Sequence, residues 1–133
     1  SGRELRTLAK EQLWSTVQRQ PSAVTFPGGE SLRAAAARAV EAVREIDTRY
    51  RDRETWLCAS HGDIIKAIVA DALGIPLDLF QRIAVDPASI TVIRYGGERP
   101  ALLRLNLSAD GPAAGLAEVK GRTSLLGRLR GER

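Results

Sequence analysis

Thr55-Trp56-Leu57-Cys58-Ala59-Ser60-His61-Gly62-Asp63-Ile64-Ile65-Lys66 is the stretch from which the fold is read. Residues 55–60 form a short apolar run of strand character that stops at Ser60. The only histidine of the 133-residue chain and a glycine follow, and then Ile64, Ile65, Ile68, Val69 and Leu73 recur at helical spacing. The pattern predicts strand, tight turn and helix, with His61 at the C-terminal end of the strand, where open α/β sheets bind ligands. The helix start beyond it offers free N–H groups and a partial positive charge, so it favours anions. A neutral imidazole there can hydrogen-bond a phosphoryl oxygen or exchange protons near pH 7.

Upstream, Leu5, Leu8, Leu13 and Val17 lie among charges and predict a helix over 3–19. Residues 20–29 read as a connector, because two prolines and a Gly pair argue against regular structure. The clearest helix then starts at Glu30-Ser31, with Ser31 as N-cap. Leu32, Ala35, Ala36, Ala39, Val40, Val43, Ile46 and Tyr50 make its apolar face, and the alanines predict close packing on a sheet. Downstream, Gly74 and Pro76 end the helix that follows His61. Residues 76–80 suggest a short helical turn. Residues 89–95 and 101–106 read as strands joined by a link of hairpin length, hence antiparallel. The order of elements implies α/β, but three visible strands leave apolar surface uncovered or one sheet edge open.

Composition narrows the function. An apolar share of 44% and a charged share of 27% fit one globular domain. No apolar run reaches membrane-spanning length, and no apolar leader opens the sequence, so a cytoplasmic protein without a membrane partner is expected. One cysteine, Cys58, excludes an internal disulfide and reads as a buried apolar strand residue. One His and one Cys argue against a protein-only zinc site. The net charge of +4 sits in the tail: residues 119–133 hold five of the 20 basic residues and one of the 16 acidic ones, so the rest cancels. A basic, flexible tail over 108–133 and no nucleic-acid partner are expected, because the body is neutral and the tail lacks interleaved aromatics for stacking.

Each candidate site residue has a plain structural reading beside the chemical one. His61 is either a structural histidine or a phosphate-contacting one. Gly62 either ends the strand or lets a ligand approach the backbone. Asp63 reads as a first-turn acid and Lys66 as a solvated lysine. Glu30 is either a capping residue or an active-site carboxylate. Nothing supports serine hydrolase chemistry: Gly-x-Ser-x-Gly is absent, and adjacent Ser60 and His61 make a direct relay awkward.

Taken in order, Phe26-Pro27-Gly28-Gly29-Glu30-Ser31, the long helix with Arg38, Ser60-His61-Gly62-Asp63-Ile64-Ile65-Lys66, Leu73-Gly74 and Asp86-Pro87-Ala88-Ser89-Ile90-Thr91-Val92 resemble the histidine phosphatase superfamily, the family of the cofactor-dependent phosphoglycerate mutases. The resemblance runs from about Gly2 to Asn106 and implies a phosphoglycerate-mutase-like sheet flanked by helices over residues 1–107. In that family a first histidine, in Arg-His-Gly on the first strand, becomes phosphohistidine, and a second contacts the transferring phosphoryl group. His61 matches the second, Gly62 its neighbour, and Glu30 and Ser31 a loop of the pocket wall. The resemblance implies a phosphorylated small-molecule substrate and neither metal nor organic cofactor.

Arg-His-Gly does not occur in this sequence, and the family's usual general-acid glutamate precedes the matched region. The sequence therefore reads as the C-terminal part of such a domain, without the first strand and the nucleophile. Phosphomonoester hydrolysis is expected of the full protein, with phosphatase favoured over mutase, and little activity of this chain alone. The alternatives are a non-catalytic phosphate-binding or assembly module, as a homo-oligomer or pairing through an open sheet edge, and a nucleic-acid-associated protein acting through the tail.

Overall fold

The structure is a computed structural model that describes residues 2–51, 54–96 and 98–108. Three helices, α1 (Gly2–Arg19), α2 (Leu32–Asp47) and α3 (Gly62–Leu73), precede a two-stranded antiparallel sheet of β1 (Ile90–Arg94) and β2 (Ala101–Leu107). Short 3₁₀ turns occupy Pro21–Ala23 and Leu77–Arg82. The class is α/β, as the sequence predicts. The tail expected over 108–133 falls, from residue 109 onward, outside the described residues.

The helix ends follow local chemistry. Ser31 Oγ accepts the Ala34 N–H at 3.1 Å, satisfying one of the free donors at the start of α2. At the end of α3, Gly74 takes the left-handed conformation (φ 69°), and the Ile75 N–H reaches back to the Ala70 carbonyl at 2.8 Å. The connector 20–29 is more ordered than its prolines and glycines suggest. Pro21 starts a 3₁₀ turn, where its fixed φ and missing N–H cost nothing, and Thr25 bridges Ser31.

The core lies among helices and turns. Val17, Val24, Leu32, Ala36, Ala67, Val69, Ala70, Phe80 and Ile83 form one cluster, with Phe80 at 0% exposure. The alanine face of α2 does not lie on the sheet, as its small residues suggested. Ala35 and Ala36 are buried and α2 packs on α3 and the first 3₁₀ turn, because α3 is the helix that meets both strands. Arg44 of α2 also reaches Asp71 of α3 at 2.7 Å. The two 3₁₀ turns are clamped together: Asp78 accepts the Ser22 N–H on Oδ1 and the Ser22 hydroxyl on Oδ2, both at 2.9 Å. These bonds, the hydroxyl bond first, favour the carboxylate and hold the Asp78 pKa below its ordinary 3.8.

The hairpin forms as expected, with Ile90 opposite Leu107, Val92 opposite Arg104 and Arg94 opposite Ala101. Its register shifts on either side of Val92, and Asn106 sits there with φ 54°, the bulge conformation that asparagine tolerates better than most residues. Ile93 and Leu102 pack on the core, whereas Ile90, Val92, Leu103, Leu105 and Leu107 are exposed.

The strand expected over 55–60 does not form. Residues 54–60 run outside any helix or strand, and among the described residues β1 and β2 are the only paired strands, so no parallel layer exists. The sequence pattern is strand-like, but a strand needs a ladder partner for its backbone groups, and none lies beside this one among the described residues. The side chains follow suit: Leu57 is 90% exposed, and Cys58, expected to be buried, is exposed as well.

Two outcomes are expected in urea unfolding. Phe80→Ala should lower stability by about 3–5 kcal/mol, the usual cost of emptying a fully buried phenylalanine site. Asp78→Asn should lower the midpoint at neutral pH. Because folding depresses the Asp78 pKa, the carboxylate's contribution is complete above the unfolded value of 3.8 and lost as pH falls through the lower folded value. The gap between the variant and the parent should therefore shrink as pH drops from about 5 to about 2.

Candidate functional site

His61 occupies the N-cap position of α3 in an extended conformation (φ −104°, ψ 156°), and its carbonyl accepts the Ile65 N–H at 2.9 Å. The imidazole does not cap the helix. It is exposed and makes no hydrogen bond within the described residues. Unlike the structural histidine of the plain reading, it keeps both ring nitrogens open to an outside partner. Gly62 opens the helix, and the first-turn N–H groups of α3 have no intrahelical acceptor. Gly62 has no positive φ, and a Cβ there would meet only the Val85 carbonyl, at 3.8 Å. The fold therefore leaves room for a side chain at this glycine.

Val85 begins the segment that flanks the start of α3. Asp86-Pro87-Ala88-Ser89 turns there, with the Ser89 N–H on the Asp86 carbonyl at 3.3 Å and Ala88 in the left-handed region at φ 58°. Asn106 fixes the turn with a two-pronged contact: its Oδ1 accepts the Asp86 N–H at 2.7 Å and its Nδ2 donates to Asp86 Oδ2 at 2.8 Å. Sequence spacing gave no sign that residue 85 would lie beside residue 62. The turn residues Asp86 and Pro87 were the available signal.

Lys66, expected to be solvated, is not. Its side chain is 17% exposed, its Nζ donates to Gln81 Oε1 at 3.0 Å and sits 3.6 Å from Asp63, and it lies 5.9 Å from the centre of the Phe80 ring. The second 3₁₀ turn folds back on α3 and brings Gln81 and Phe80 to it, a long-range contact that helical spacing cannot reveal. Asp63 stands in the first turn as expected.

Glu30 neither caps α2 nor meets His61 among the described contacts. It pairs with the exposed Arg38, whose pKa it raises through the hydrogen bond first and charge second. Ser31 serves as the cap. The structure thus brings His61 and Gly62 together by adjacency, and places Glu30 and Ser31 at the start of α2.

A cavity of about 670 Å³ opens between residues 54–60 and β1, with Val43, Ile65 and Ile68 among its lining residues. It reaches Ser60 but is lined by none of His61, Gly62, Glu30 and Ser31. Tyr95 lies on its wall, and burial, followed by the charge of Asp71, pushes this phenol's pKa up. No cluster of metal-ligating side chains occurs among the described residues, and no described helix is long and apolar enough to cross a membrane.

The sequence pattern of the histidine phosphatase superfamily (branch 1) matches residues 1–108. The chain belongs to that superfamily, a family of phosphatase-type enzymes. It is 32% identical over 89 residues to phosphoserine phosphatase 1 of Hydrogenobacter thermophilus, a match that covers 67% of this chain and 42% of that protein. The chain thus aligns with less than half the length of this curated relative.

Gly62→Ala should fold with a stability within about 0.5 kcal/mol of the parent, since no positive φ and no close neighbour demands glycine there. Thermal unfolding checks this, and a large loss would mean that the glycine is structural.

Proposed function

We propose that this chain carries the phosphoryl-binding half of a phosphomonoesterase site, with His61 as the group that contacts the transferring phosphoryl oxygens and Gly62 as a backbone N–H donor to the same group. The observation that carries the reading is the exposed, unpartnered imidazole at the anion-favouring start of α3, in a chain of this superfamily. The space left at Gly62 supports it: a glycine that the fold does not need is well suited to close approach of a ligand.

In this reading the phosphomonoester seats its phosphate over the first turn of α3. His61 hydrogen-bonds an equatorial oxygen and stabilises the charge that shifts as the ester bond breaks. Hydrolysis through a phosphohistidine also requires a second histidine as nucleophile and a proton donor for the leaving oxygen. The sequence holds one histidine, so that route is not complete within these 133 residues. Groups that act as a unit contribute non-additively, and turnover by the chain alone is expected to be negligible. Release of the phosphate by water, and so a hydrolase rather than a mutase, is the favoured outcome, because the relative is a phosphatase by name. Phosphoserine, named by the relative, is the first natural substrate to try.

A second reading is a phosphate-binding or assembly module without catalysis; the open cavity beside β1, which none of His61, Gly62, Glu30 and Ser31 lines, favours assembly.

The decisive experiment uses this 133-residue chain with p-nitrophenyl phosphate for turnover and inorganic phosphate for binding. No turnover is expected, together with phosphate binding that weakens roughly ten- to a hundredfold in His61→Ala, the equivalent of one hydrogen bond to a charged group. Gly62→Ala should weaken it too while leaving the fold intact. Turnover lost on His61→Ala would overturn the half-site reading. Absence of any phosphate binding would overturn the assignment of His61 and Gly62.

A further inference from the structure

Ala88 and Asn106 are the only residues other than glycine with a left-handed backbone among the described residues, at φ 58° and 54°. Both belong to one unit beside Gly62. Ala88 lies in the turn that follows Val85, and Asn106 lies in the strand end that ties that turn down. Backbone strain persists only where the surroundings hold it, and it gathers at functional sites. Here the holding contacts are the two bonds between Asn106 and Asp86. Asparagine is among the few residue types that tolerate the left-handed region, so one residue supplies both the conformation and the fork.

We propose that Asn106 is a positioning residue of the phosphate seat: it holds the Asp86 carboxylate away from the start of α3, where that charge would repel the anion. The role rests on the reading of His61 and Gly62 given above. The place of Asp86 in the chain creates the need. The Val85 carbonyl lies 3.8 Å from where a Cβ of Gly62 would stand, and Asp86 is the next residue. Its carboxylate therefore falls inside the roughly 8 Å over which exposed charges act at physiological salt. Asp63, the acid in the first turn of α3, is offset by Lys66 at 3.6 Å. Asp86 has no such cation within ion-pair distance among the described residues. What holds it is a neutral amide, Nδ2 of Asn106 on Oδ2 at 2.8 Å, which orients the charge without cancelling it. The second arm, Oδ1 of Asn106 on the Asp86 N–H at 2.7 Å, fixes the backbone from which that carboxylate projects. The fork thus turns an acid at the rim of an anion site toward the hairpin.

The test measures binding of inorganic phosphate to the 133-residue chain by calorimetry, at low ionic strength and at about 1 M salt, where the screening length falls to about 3 Å. Asn106→Gly keeps the left-handed backbone and removes the fork. It should weaken binding roughly fivefold at low ionic strength, the repulsion between a unit charge and a dianion about 8 Å apart in water. At about 1 M salt its affinity relative to the parent should return to about one. Adding Asp86→Asn to Asn106→Gly should restore the parent affinity at low salt, although it rebuilds no hydrogen bond to residue 106. A fork that served only the fold would leave the double variant no better than the single one. Where Asn106→Gly is too unstable by circular dichroism, Asn106→Asp gives the same readout. It keeps the acceptor for the Asp86 N–H and repels the Asp86 carboxylate, and its loss should likewise vanish in salt. Parent-like affinity in both variants, a loss that salt leaves in place, or a loss that Asp86→Asn does not restore overturns the role of Asn106 and leaves the reading of the seat standing. A parent chain that binds no phosphate overturns the reading of His61 and Gly62, and the role of Asn106 with it.

Discussion

Burial of Phe80 beneath α3 is the contact on which the described structure depends. The ring has no solvent exposure, and it comes from a 3₁₀ turn rather than from a helix or strand. That turn must close on α3 for the core to exist, and its closure fixes much else. It places Asp78 against Ser22, tying the segment before α2 to the segment after α3. It places Gln81 against Lys66, so a side chain that would otherwise extend into water lies along the protein surface. The core is centred on helix and turn contacts, with Ile93 and Leu102 of the hairpin packing at its margin.

This distribution explains which parts of the fold were legible in the sequence. Features decided within a few residues were: the Ser31 cap, the Gly74 stop, the antiparallel hairpin and the helix after His61. Features decided by distant partners were not. Residues 55–60 have the composition of a strand, but strand formation is a property of a pair, and the described residues offer no partner. Cys58 and Leu57 are consequently exposed. The alanines of α2 signalled close packing correctly, yet could not say that the neighbour is a helix. Lys66 looked like any surface lysine because Gln81 lies fifteen residues away.

The candidate site was legible to the same extent. His61 stood out as the sole histidine at a predicted turn into a helix, and its position at the N-cap follows from that turn. Glu30 carried a weaker signal, since an acid at a helix start has many uses, and here it forms an exposed pair with Arg38. The residue that no pattern announced is Val85, which reaches Gly62 only because the hairpin and the turn before it fold back over α3.

The fork between Asn106 and Asp86 gives that arrangement a mechanical meaning. Asn106 lies at the bulged end of β2, Asp86 in the turn that starts beside Gly62, and two hydrogen bonds join them. The hairpin is thereby joined at its bulged end to the turn that starts beside Gly62. A twist at the bulged end of β2 is carried by these two hydrogen bonds to Asp86, the residue after Val85. The pairing of β1 with β2 and the shape of the turn beside Gly62 are then not separate variables.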